Sequence, residues 1–390
     1  MIDERIVVTG VGMVTPLGIG SASTWAGVLA AKNAIGPITR FDPTGFPVRF
    51  SAEAPVPGEG AALKQELVDL ALDEALSQSG MLDTDVSPER KGVCLGSEAC
   101  RPPWQWLWRK NAPSHAEIDA LAPDAPTRHV QARIGATGPR STVSTACTSS
   151  SQAIGEAMLR IRRGEADVMV AGGVDALSEP LMVVGFSKLG ALSTRNEAPE
   201  RASRPFDVHR DGFVLGEGSG FLILERESFA RARGAKILAI AAGWGCSCNA
   251  WRITDSPPDG RGAAEAMAMA LRDAGLSGSD IDYVNAHGTS TQQNDTSEAT
   301  AIRRVLGEAP VSSTKGMMGH LVAACGAVEA ILCVLALRDQ VRPGSRNLDD
   351  PDPACPLNFQ RKAEYARVRY ALTNAFGFGG SNGSLVFGLA

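Results

Sequence analysis

A cysteine within a run of small residues is the first candidate for chemistry in this 390-residue chain. A β-favouring run from Ser141 leads to Cys147, and apolar residues then recur at helical spacing, at Ile154, Met158 and Ile161. Cys147 is therefore predicted at a strand-to-helix junction, where free helix N–H groups favour a thiolate and can bind an oxyanion. This is the setting of an activated nucleophile, although a small buried cysteine fits the segment equally well.

Two histidines occupy comparable junctions later in the chain. His287 ends the apolar run 281–286, at the end of a predicted strand, where α/β proteins gather functional groups. His320 precedes a helix predicted over residues 321–338. A single histidine is more often structural, but two at similar junctions together with Cys147 indicate catalysis.

Glycine-rich segments near both ends of the chain raise the question of nucleotide binding. The segment NAFGFGGSNGS at 374–384 has no phosphate-loop lysine, and its backbone is expected to approach a ligand or the active site closely. The early segment GVGMVTPLG has Thr15 where GxGxxG requires its third glycine. Both segments argue against a nucleotide site.

Composition restricts the class of protein further. The net charge of −5 gives no general attraction to nucleic acid, and no apolar run is long enough to span a membrane. The eight cysteines lack the spacing of a zinc site and the N-terminus lacks a signal peptide. We expect a cytoplasmic protein with mostly free thiols, no bound metal, no nucleic-acid partner and no membrane span.

The order of strand and helix patterns predicts two related α/β lobes with mostly parallel sheets. A buried strand, a glycine-rich turn and a helix near Ser21 open the first lobe. A new strand near residue 236 opens the second, which places the halves at 1–235 and 236–390. Between residues 99 and 138 the pattern becomes irregular, as expected of an interface or a lid.

The motifs, taken together, resemble those of the β-ketoacyl-acyl-carrier-protein synthases, in particular the elongating type. The matching stretches run in family order from residue 7 to residue 384: VVTGVGMVTPLG, VSTACTSS, ADVMVAGGVDALSEP, ALSTRN, SRPFDVHRDGFVLGEG, YVNAHGTSTQQND, VSSTKGMMGHLVAACGAVEA and NAFGFGGSNGS. Such a set is far more specific than any one motif.

This resemblance implies a thiolase-type fold, an αβαβα sandwich of two similar halves with mixed, mostly parallel sheets. It implies that Cys147 carries the acyl chain as a thioester delivered by an acyl carrier protein. His287 and His320 would then stabilise the enolate formed when a malonyl thioester loses carbon dioxide. Neutral N–H donors already in place stabilise such charge without solvent reorganisation, so no cofactor is required.

Further residues receive roles only by this resemblance. Lys315 and Glu329 would hold the site electrostatically. The backbone N–H groups of Cys147 and Phe378 would form the oxyanion hole, and Phe378 would also gate the acyl pocket. Thr289 and Thr291 would contact the pantetheine arm.

Two departures from the family pattern affect partners. The helix start that grips the acidic carrier protein in the family offers only Lys64 here, so docking is expected on other basic residues: Arg101, Arg109, Lys110, Arg160, Arg162 or Arg163. Residues 99–138 are shortened and rewritten, which leaves chain length and the usual homodimer open. The cluster Trp104, Trp106, Leu107 and Trp108 fits interface anchors better than local core.

Several alternatives stay open at this point. A specialised synthase for polyene or polyketide chains, paired with a related subunit, is one hypothesis. A chain-length-factor-like scaffold is a nonenzymatic alternative, against which the complete set Cys147, His287 and His320 argues. A thiolase lacks its second cysteine here, a chain-initiating synthase would show Cys, His and Asn, and a Cys/His hydrolase would not need His320.

Overall fold

The computed structural model describes residues 4–390, except for the side chains of Trp104 and Leu107. The longer strands are mostly buried apolar runs. The strands are β1 (Ile6–Thr15), β2 (Gly18–Ile19), β3 (Gly36–Pro37), β4 (Phe50–Ser51), β5 (Lys91–Ser97), β6 (Arg140–Val143), β7 (Val168–Ala176), β8 (Glu217–Arg226), β9 (Ala239–Cys248), β10 (Tyr283–Asn285), β11 (Val311–Ser312), β12 (Val341–Arg342), β13 (Glu364–Tyr365), β14 (Tyr370–Phe376) and β15 (Ser381–Gly388).

Helices separate most of these strands. Their bounds are α1 (Ser21–Leu29), α2 (Gly60–Ser79), α3 (His115–Leu121), α4 (Ala125–Arg133), α5 (Ser149–Arg162), α6 (Pro180–Lys188), α7 (Glu227–Ala232), α8 (Arg261–Ala274), α9 (Gln292–Leu306), α10 (Lys315–Met318) and α11 (Cys325–Asp339). The helix predicted from residue 321 begins four residues later, because a 3-10 turn at Val322–Ala324 comes first.

The main sheet consists of two halves with the same strand order. From the middle outward the first half runs β1, β8, β7, β5, β6, and the second runs β9, β15, β14, β10, β11. With the strands of each half numbered along the chain, both orders read 1-5-4-2-3. The halves meet where β1 pairs antiparallel with β9, at Ile6 to Val8 opposite Ala239 to Ala241. This repetition of topology is hidden in the sequence, where the halves do not visibly align.

In the main sheet as described, parallel pairing joins the three outer strands of each half and antiparallel pairs outnumber parallel ones, so the predicted mostly parallel character of the sheets is wrong. The parallel pairs join β7, β5 and β6 in the first half and β14, β10 and β11 in the second. The inner pairs, from β7 to β8 and from β14 to β15 inward, are antiparallel. The carboxyl ends of the parallel strands in each half therefore lie at one edge, where loops can bring side chains together.

Helices cover the half-sheets on both sides and fill the layer between them. The outer helix α2 lies on β1 and β8, and α8 lies on β9 and β15. The central helices α5 and α11 contact each other and strands of both halves. Residues Cys325 to Leu337 of α11 are buried all round, as a helix in a middle layer must be. The result is the five-layer αβαβα arrangement.

The glycine-rich turn predicted from Gly10 begins only after Thr15, and it leads into α1 at Ser21 as expected. Gly10 and Gly12 lie inside β1, where an added Cβ would come within 2.3 Å and 2.0 Å of backbone oxygens of α2. Glycine is required there because the helix approaches the strand so closely.

Residues 99–138 hold a 3-10 turn at Trp104–Trp108, followed by α3 and α4. In this excursion the Trp108 side chain is 68% exposed, and Trp106 is half-buried with the Arg109 guanidinium over its ring. The part of the predicted anchor cluster formed by the Trp104 and Leu107 side chains lies outside the described residues. The anchor role itself stays a prediction.

Candidate active site

Cys147 lies where the sequence predicts it, between β6 and α5. A 3-10 turn at Ala146–Thr148 connects them, and Ala146 takes a positive φ of 54° that residues with a Cβ rarely adopt. The cysteine side chain is buried, and α5 begins two residues later. The turn therefore presents the thiol at the helix N-terminus.

His320 faces this thiol directly. Its Nε2 atom lies 3.0 Å from Cys147 Sγ. On the other side of the ring, the backbone N–H of Val322 donates to Nδ1 at 3.3 Å. Because Nδ1 accepts a hydrogen bond, neutral His320 carries its proton on Nε2 and directs it toward the sulfur.

His287 follows β10 and is held through its backbone. The carboxylate of Glu298 on α9 accepts the N–H groups of His287 at 2.8 Å and Gly288 at 2.7 Å. The His287 ring stacks edge-on with that of His320, with 5.2 Å between centroids. Ring nitrogens of both histidines and Cys147 Sγ lie within 4.8 Å of one another. The structure thus brings together the three residues predicted as catalytic.

Both imidazoles are held neutral. Burial lowers the pKa of His287 and of His320 well below the ordinary value, and the positive charge of Lys315 lowers both further. Lys315 Nζ lies 3.4 Å from His287 Nδ1, and a protonated amine there leaves the histidine proton for Nε2. The pair can therefore act as two neutral N–H donors.

Lys315 is itself buried and paired with Glu329. Burial is the largest single influence and opposes the charge on Lys315, but Glu329, Cys325 and Glu298 together outweigh it and leave the Lys315 pKa above its ordinary value. Burial raises the pKa of Glu329 to about 7, against the pull of Lys315. The two residues predicted to support the site electrostatically thus form one ion pair behind His287.

The thiol of Cys147 experiences opposing influences. Burial raises its pKa to about 12, while the charge of Lys315 and the backbone N–H of Phe378 lower it. The sequence argument considered the helix end alone, and burial is the stronger influence in the folded chain. The resting cysteine is therefore a thiol that must lose its proton during reaction.

A cavity of about 310 Å³ opens onto these residues. Phe378 lines it, as do Thr289 and Thr291, whose hydroxyl oxygens lie 3.1 Å apart. Thr291 also caps α9, accepting the N–H of Asn294 at 3.3 Å. All the residues carried over by family resemblance therefore border the cavity or its buried ion pair.

Gly377 explains how the glycine-rich loop approaches the nucleophile. A Cβ on Gly377 would lie 2.9 Å from the carbonyl oxygen of Thr145 and 3.3 Å from the Cys147 nitrogen. The loop can therefore place Phe378 beside the thiol only without a side chain at residue 377.

Among the residues that the structure describes, two groups of side chains offer ligand atoms close enough for a metal ion. One is Cys147, His287 and His320, and the other is His287, Cys325 and Glu329. The positive charge of Lys315 beside His287 would repel a divalent cation from either group. All eight cysteines are free thiols.

Two acidic residues on α9 escaped the sequence reasoning. Burial raises the pKa of Glu298 to about 7, while the N–H groups of the His287 loop pull it down. Asp295 accepts the N–H of Ser290, whose φ is +71°, and that of Phe206. An acidic pair one helical turn apart, directly after the histidine loop, is a pattern that could have identified them.

The predicted carrier-docking residues are dispersed. Lys64, the lysine at the helix start that grips the carrier protein in the family, is 3% exposed and cannot contact a carrier protein. Arg162 and its basic neighbours lie near the far end of α5, about 20 Å from the helix start beside Cys147. Arg109 pairs with Glu117, and Arg101 lines a second, larger cavity.

Sequence profiles of known families match both halves of the chain. The description "Beta-ketoacyl synthase, N-terminal domain" applies to residues 3–66 and 59–230, and "Beta-ketoacyl synthase, C-terminal domain" to 238–349. The chain is 41% identical over 419 residues to "3-oxoacyl-[acyl-carrier-protein] synthase 2" of Vibrio cholerae, with 99% of each covered. It is 38% identical to "Putative polyketide beta-ketoacyl synthase 1" of Streptomyces cyaneus, covering 97% and 96%.

Solved structures agree with these matches. A type II PKS ketosynthase, in complex with its acyl-carrier protein and bound to the hexaketide, superposes with a TM-score of 0.92 and 32% identity, over 99% of each chain. The ishigamide ketosynthase/chain length factor gives a TM-score of 0.88 and 29% identity, also over 99% of each chain.

The layered fold and the buried Cys–His–His centre define a condensing enzyme of the acyltransferase class, and they confirm the predicted fold class. The chain belongs to the β-ketoacyl synthase family, as its motifs predicted, and is of the elongating kind. Within residues 4–390, no helix is long and apolar enough to cross a membrane.

Proposed function

We propose that this chain elongates acyl groups held on an acyl carrier protein, by decarboxylative condensation with a malonyl thioester at the Cys147 centre. The observation that carries the proposal is the 3.0 Å contact between His320 Nε2 and Cys147 Sγ, with His287 beside them. Both histidines are neutral, so their N–H groups suit a developing enolate oxygen.

The first step loads the cysteine. Cys147 Sγ attacks the thioester carbonyl of the acyl carrier, the bond from that carbon to the pantetheine sulfur breaks, and the pantetheine leaves as a thiol with the cysteine proton. The oxyanion of this step is proposed to be held by the N–H groups of Cys147 and Phe378, the second of which already contacts the sulfur.

The second step forms the carbon–carbon bond. Malonyl decarboxylation breaks its carbon–carbon bond to the carboxylate, and the electron pair forms an enolate stabilised by His287 and His320. Carbon dioxide is released, the enolate carbon attacks the acyl-Cys147 carbonyl, and the cysteine sulfur leaves as a thiolate that takes a proton from water to restore the resting thiol. Every electron pair is accounted for by these groups, so the mechanism requires no metal and no cofactor.

The cavity mouth offers a surface for the carrier protein. Leu189 lines the cavity and is 57% exposed. Ile253 is also exposed, its carbonyl accepts the N–H of Gly379 at 2.7 Å, and the next residue, Thr254, lines the cavity. The exposed guanidinium of Arg252, paired at 3.2 Å with Asp255 on this apolar rim, can instead pair with an acidic group of a carrier protein.

The partner subunit and pathway belong to the same proposal. Strand β6 ends the main sheet with β5 as its neighbour, which leaves an edge for a second subunit, either another copy or a related synthase-like chain. Relatives named as 3-oxoacyl-[acyl-carrier-protein] synthase and as polyketide beta-ketoacyl synthase both match, and we favour a specialised chain because residues 99–138 depart from the family pattern. A cytoplasmic location remains part of the prediction.

Mass spectrometry tests the acyl-enzyme. The native protein, mixed with acyl-carrier proteins of several chain types, is expected to gain the mass of the acyl group, and Cys147→Ala is expected to gain nothing. No mass shift on the native protein with any acyl donor would contradict the proposal. Light scattering beside an elongation assay tests the specialised role, which a stable homodimer that elongates ordinary saturated chains would refute.

A further inference from the structure

Lys64 is a buried cation on the outer helix α2. Its amine donates to the carbonyl oxygen of Glu98 at 2.5 Å and lies 3.7 Å from a carboxylate oxygen of Asp175. The Asp175 side chain is also buried. A lysine removed from water in this way requires a charged partner, which Asp175 supplies.

From Asp175 the contacts continue to the loop of His320. The second carboxylate oxygen of Asp175 accepts the backbone N–H of Ala323 at 3.2 Å. The preceding residue, Val322, has a φ of +41° and donates its N–H to His320 Nδ1. Asp175 therefore holds the peptide directly after the one that orients the His320 ring.

From Glu98 the contacts continue to the loop of Cys147. One carboxylate oxygen of Glu98 accepts the N–H of Ala146 at 2.9 Å and the Ser149 hydroxyl at 3.1 Å, and the other accepts the Ser144 hydroxyl at 2.7 Å. Ala146 has the strained positive φ that directs Cys147 into the cavity. Such a conformation persists only where surrounding contacts enforce it.

We infer that Lys64, Asp175 and Glu98 form one positioning unit that fixes the Cys147 loop relative to the His320 loop. The inference rests on the proposed roles of those two residues. One amine contacts the backbone carbonyl of Glu98 and the carboxylate of Asp175, and the carboxylate of each of these two residues holds one catalytic loop. The 3.0 Å spacing between sulfur and imidazole therefore depends on charges outside the catalytic set.

The unit lies between the two cavities. Leu63, Arg101 and Ala176, which neighbour its members in the chain, line the larger cavity of about 650 Å³. The groups held by its members, Ala146 and the His320 loop, line the catalytic cavity. The unit is thus part of the wall behind the nucleophile.

The two acidic members are expected to affect different partial reactions. Glu98→Ala should slow acylation of Cys147 about tenfold and change malonyl decarboxylation by less than about twofold, since it releases only the Cys147 loop. Asp175→Ala should slow malonyl decarboxylation about tenfold and acylation by a smaller factor, because it displaces His320, which also contacts the thiol. Lys64→Met should slow both reactions, because it removes the link between them.

The assay uses the full chain and two small probes, octanoyl pantetheine for acylation and malonyl pantetheine for release of carbon dioxide. Without a carrier protein, docking does not influence either rate. Glu98→Gln keeps an oxygen that can accept the Ala146 N–H and should retain most of the acylation rate. Lys64→Met/Asp175→Asn removes both buried charges together and serves if Lys64→Met alone fails to fold.

Arg233→Met is the matched control, since Arg233 is a largely buried cation paired with the fully buried Glu225 and lies outside both cavity linings. It should lower the melting temperature without altering the ratio of the two rates. Equal losses in both reactions for Glu98→Ala and Asp175→Ala, in step with their melting temperatures, would overturn the positioning unit. A native chain that is not acylated at Cys147 would instead reject the proposed function.

Discussion

The junctions that carry Cys147 and His320 occupy the same place in the two halves of the molecule. Cys147 lies between β6 and α5, and His320 between β11 and α11, each after the third strand of its half. Because α5 and α11 pack against each other, the loops before them face one another. A repeated topology has thus brought a nucleophile from one half onto a hydrogen-bond donor from the other.

The two halves differ in the charges that surround these junctions. In the first half, burial is the main cause of the raised pKa of the Cys147 thiol, and Glu98 and Asp175 raise it further. In the second half, Lys315 lowers the pKa of both histidines. One half therefore protects a proton on sulfur until reaction, and the other keeps its imidazoles neutral. Equivalent positions in a duplicated fold have acquired opposite electrostatic tasks.

The largest effects should come from the histidines, and they should differ from each other. His320→Ala removes the group in contact with Cys147 Sγ, so we expect both acylation and decarboxylation to fall, the latter about 10²- to 10³-fold. His287→Ala should slow decarboxylation by a similar factor and leave acylation nearly unchanged. Single-turnover measurement of each partial reaction checks this. Identical profiles for the two variants would show that the histidines act as one.

Lys315→Met should have the next largest effect, on stability and on pH dependence. It leaves Glu329 buried without its cation, so we expect the free energy of unfolding to fall by about 3 kcal/mol. Protonation of Glu329 would make this loss smaller. Without Lys315, the pKa of each histidine rises toward its ordinary value. Imidazolium then forms at higher pH and attracts the malonyl carboxylate, which opposes loss of carbon dioxide.

The rate of decarboxylation against pH, beside denaturant unfolding, measures both effects. The acid limb of the profile should move to higher pH in Lys315→Met. The double variant Lys315→Met/Glu329→Gln is the control, and it should recover stability while keeping the shifted profile. An unchanged acid limb in both variants would mean that burial alone keeps the histidines neutral.

The sequence predicted the family, the fold class and the meeting of Cys147 with His287 and His320, because those residues lie in local motifs at strand and helix ends. Their family roles still await experiment. Local sequence patterns do not show which side chains become buried or which backbone groups they bind. The spacing of Asp295 and Glu298 after the histidine loop could have marked both residues, but no local pattern shows that the Glu298 carboxylate is buried against the His287 backbone.

Lys64 is a second residue whose burial the sequence does not show. A lone lysine near a helix start predicts a solvated charge, and only the packing of α2 against the first half-sheet buries it beside Asp175. Likewise, the glycines of β1 predict a turn until the close approach of α2 is known. Burial and close packing are properties of the assembled layers, so short-range patterns do not report them.

A smaller effect is expected at the loop between β14 and β15, which packs against the Cys147 turn of the first half. Gly377→Ala would bring a Cβ against the Thr145 carbonyl and the Cys147 nitrogen, so the loop must shift. We expect acylation to slow about tenfold, because the Phe378 N–H moves away from the oxyanion position. Gly185→Ala, which has open space around its Cβ, is the control for adding a methyl group. Equal rates in the two variants would show that the loop adapts freely.

The smallest effect should come from the solvent end of α5, which contrasts with its catalytic start. Arg162 pairs with Asp273 about 20 Å from the helix start, so its charge is already engaged far from the cavity mouth. Arg162→Ala should change the KM for an acyl-carrier protein by less than about twofold, as exposed ion pairs contribute little. Arg252→Ala, at the mouth, should raise it more. A larger rise for Arg162→Ala would move carrier docking to the opposite end of α5.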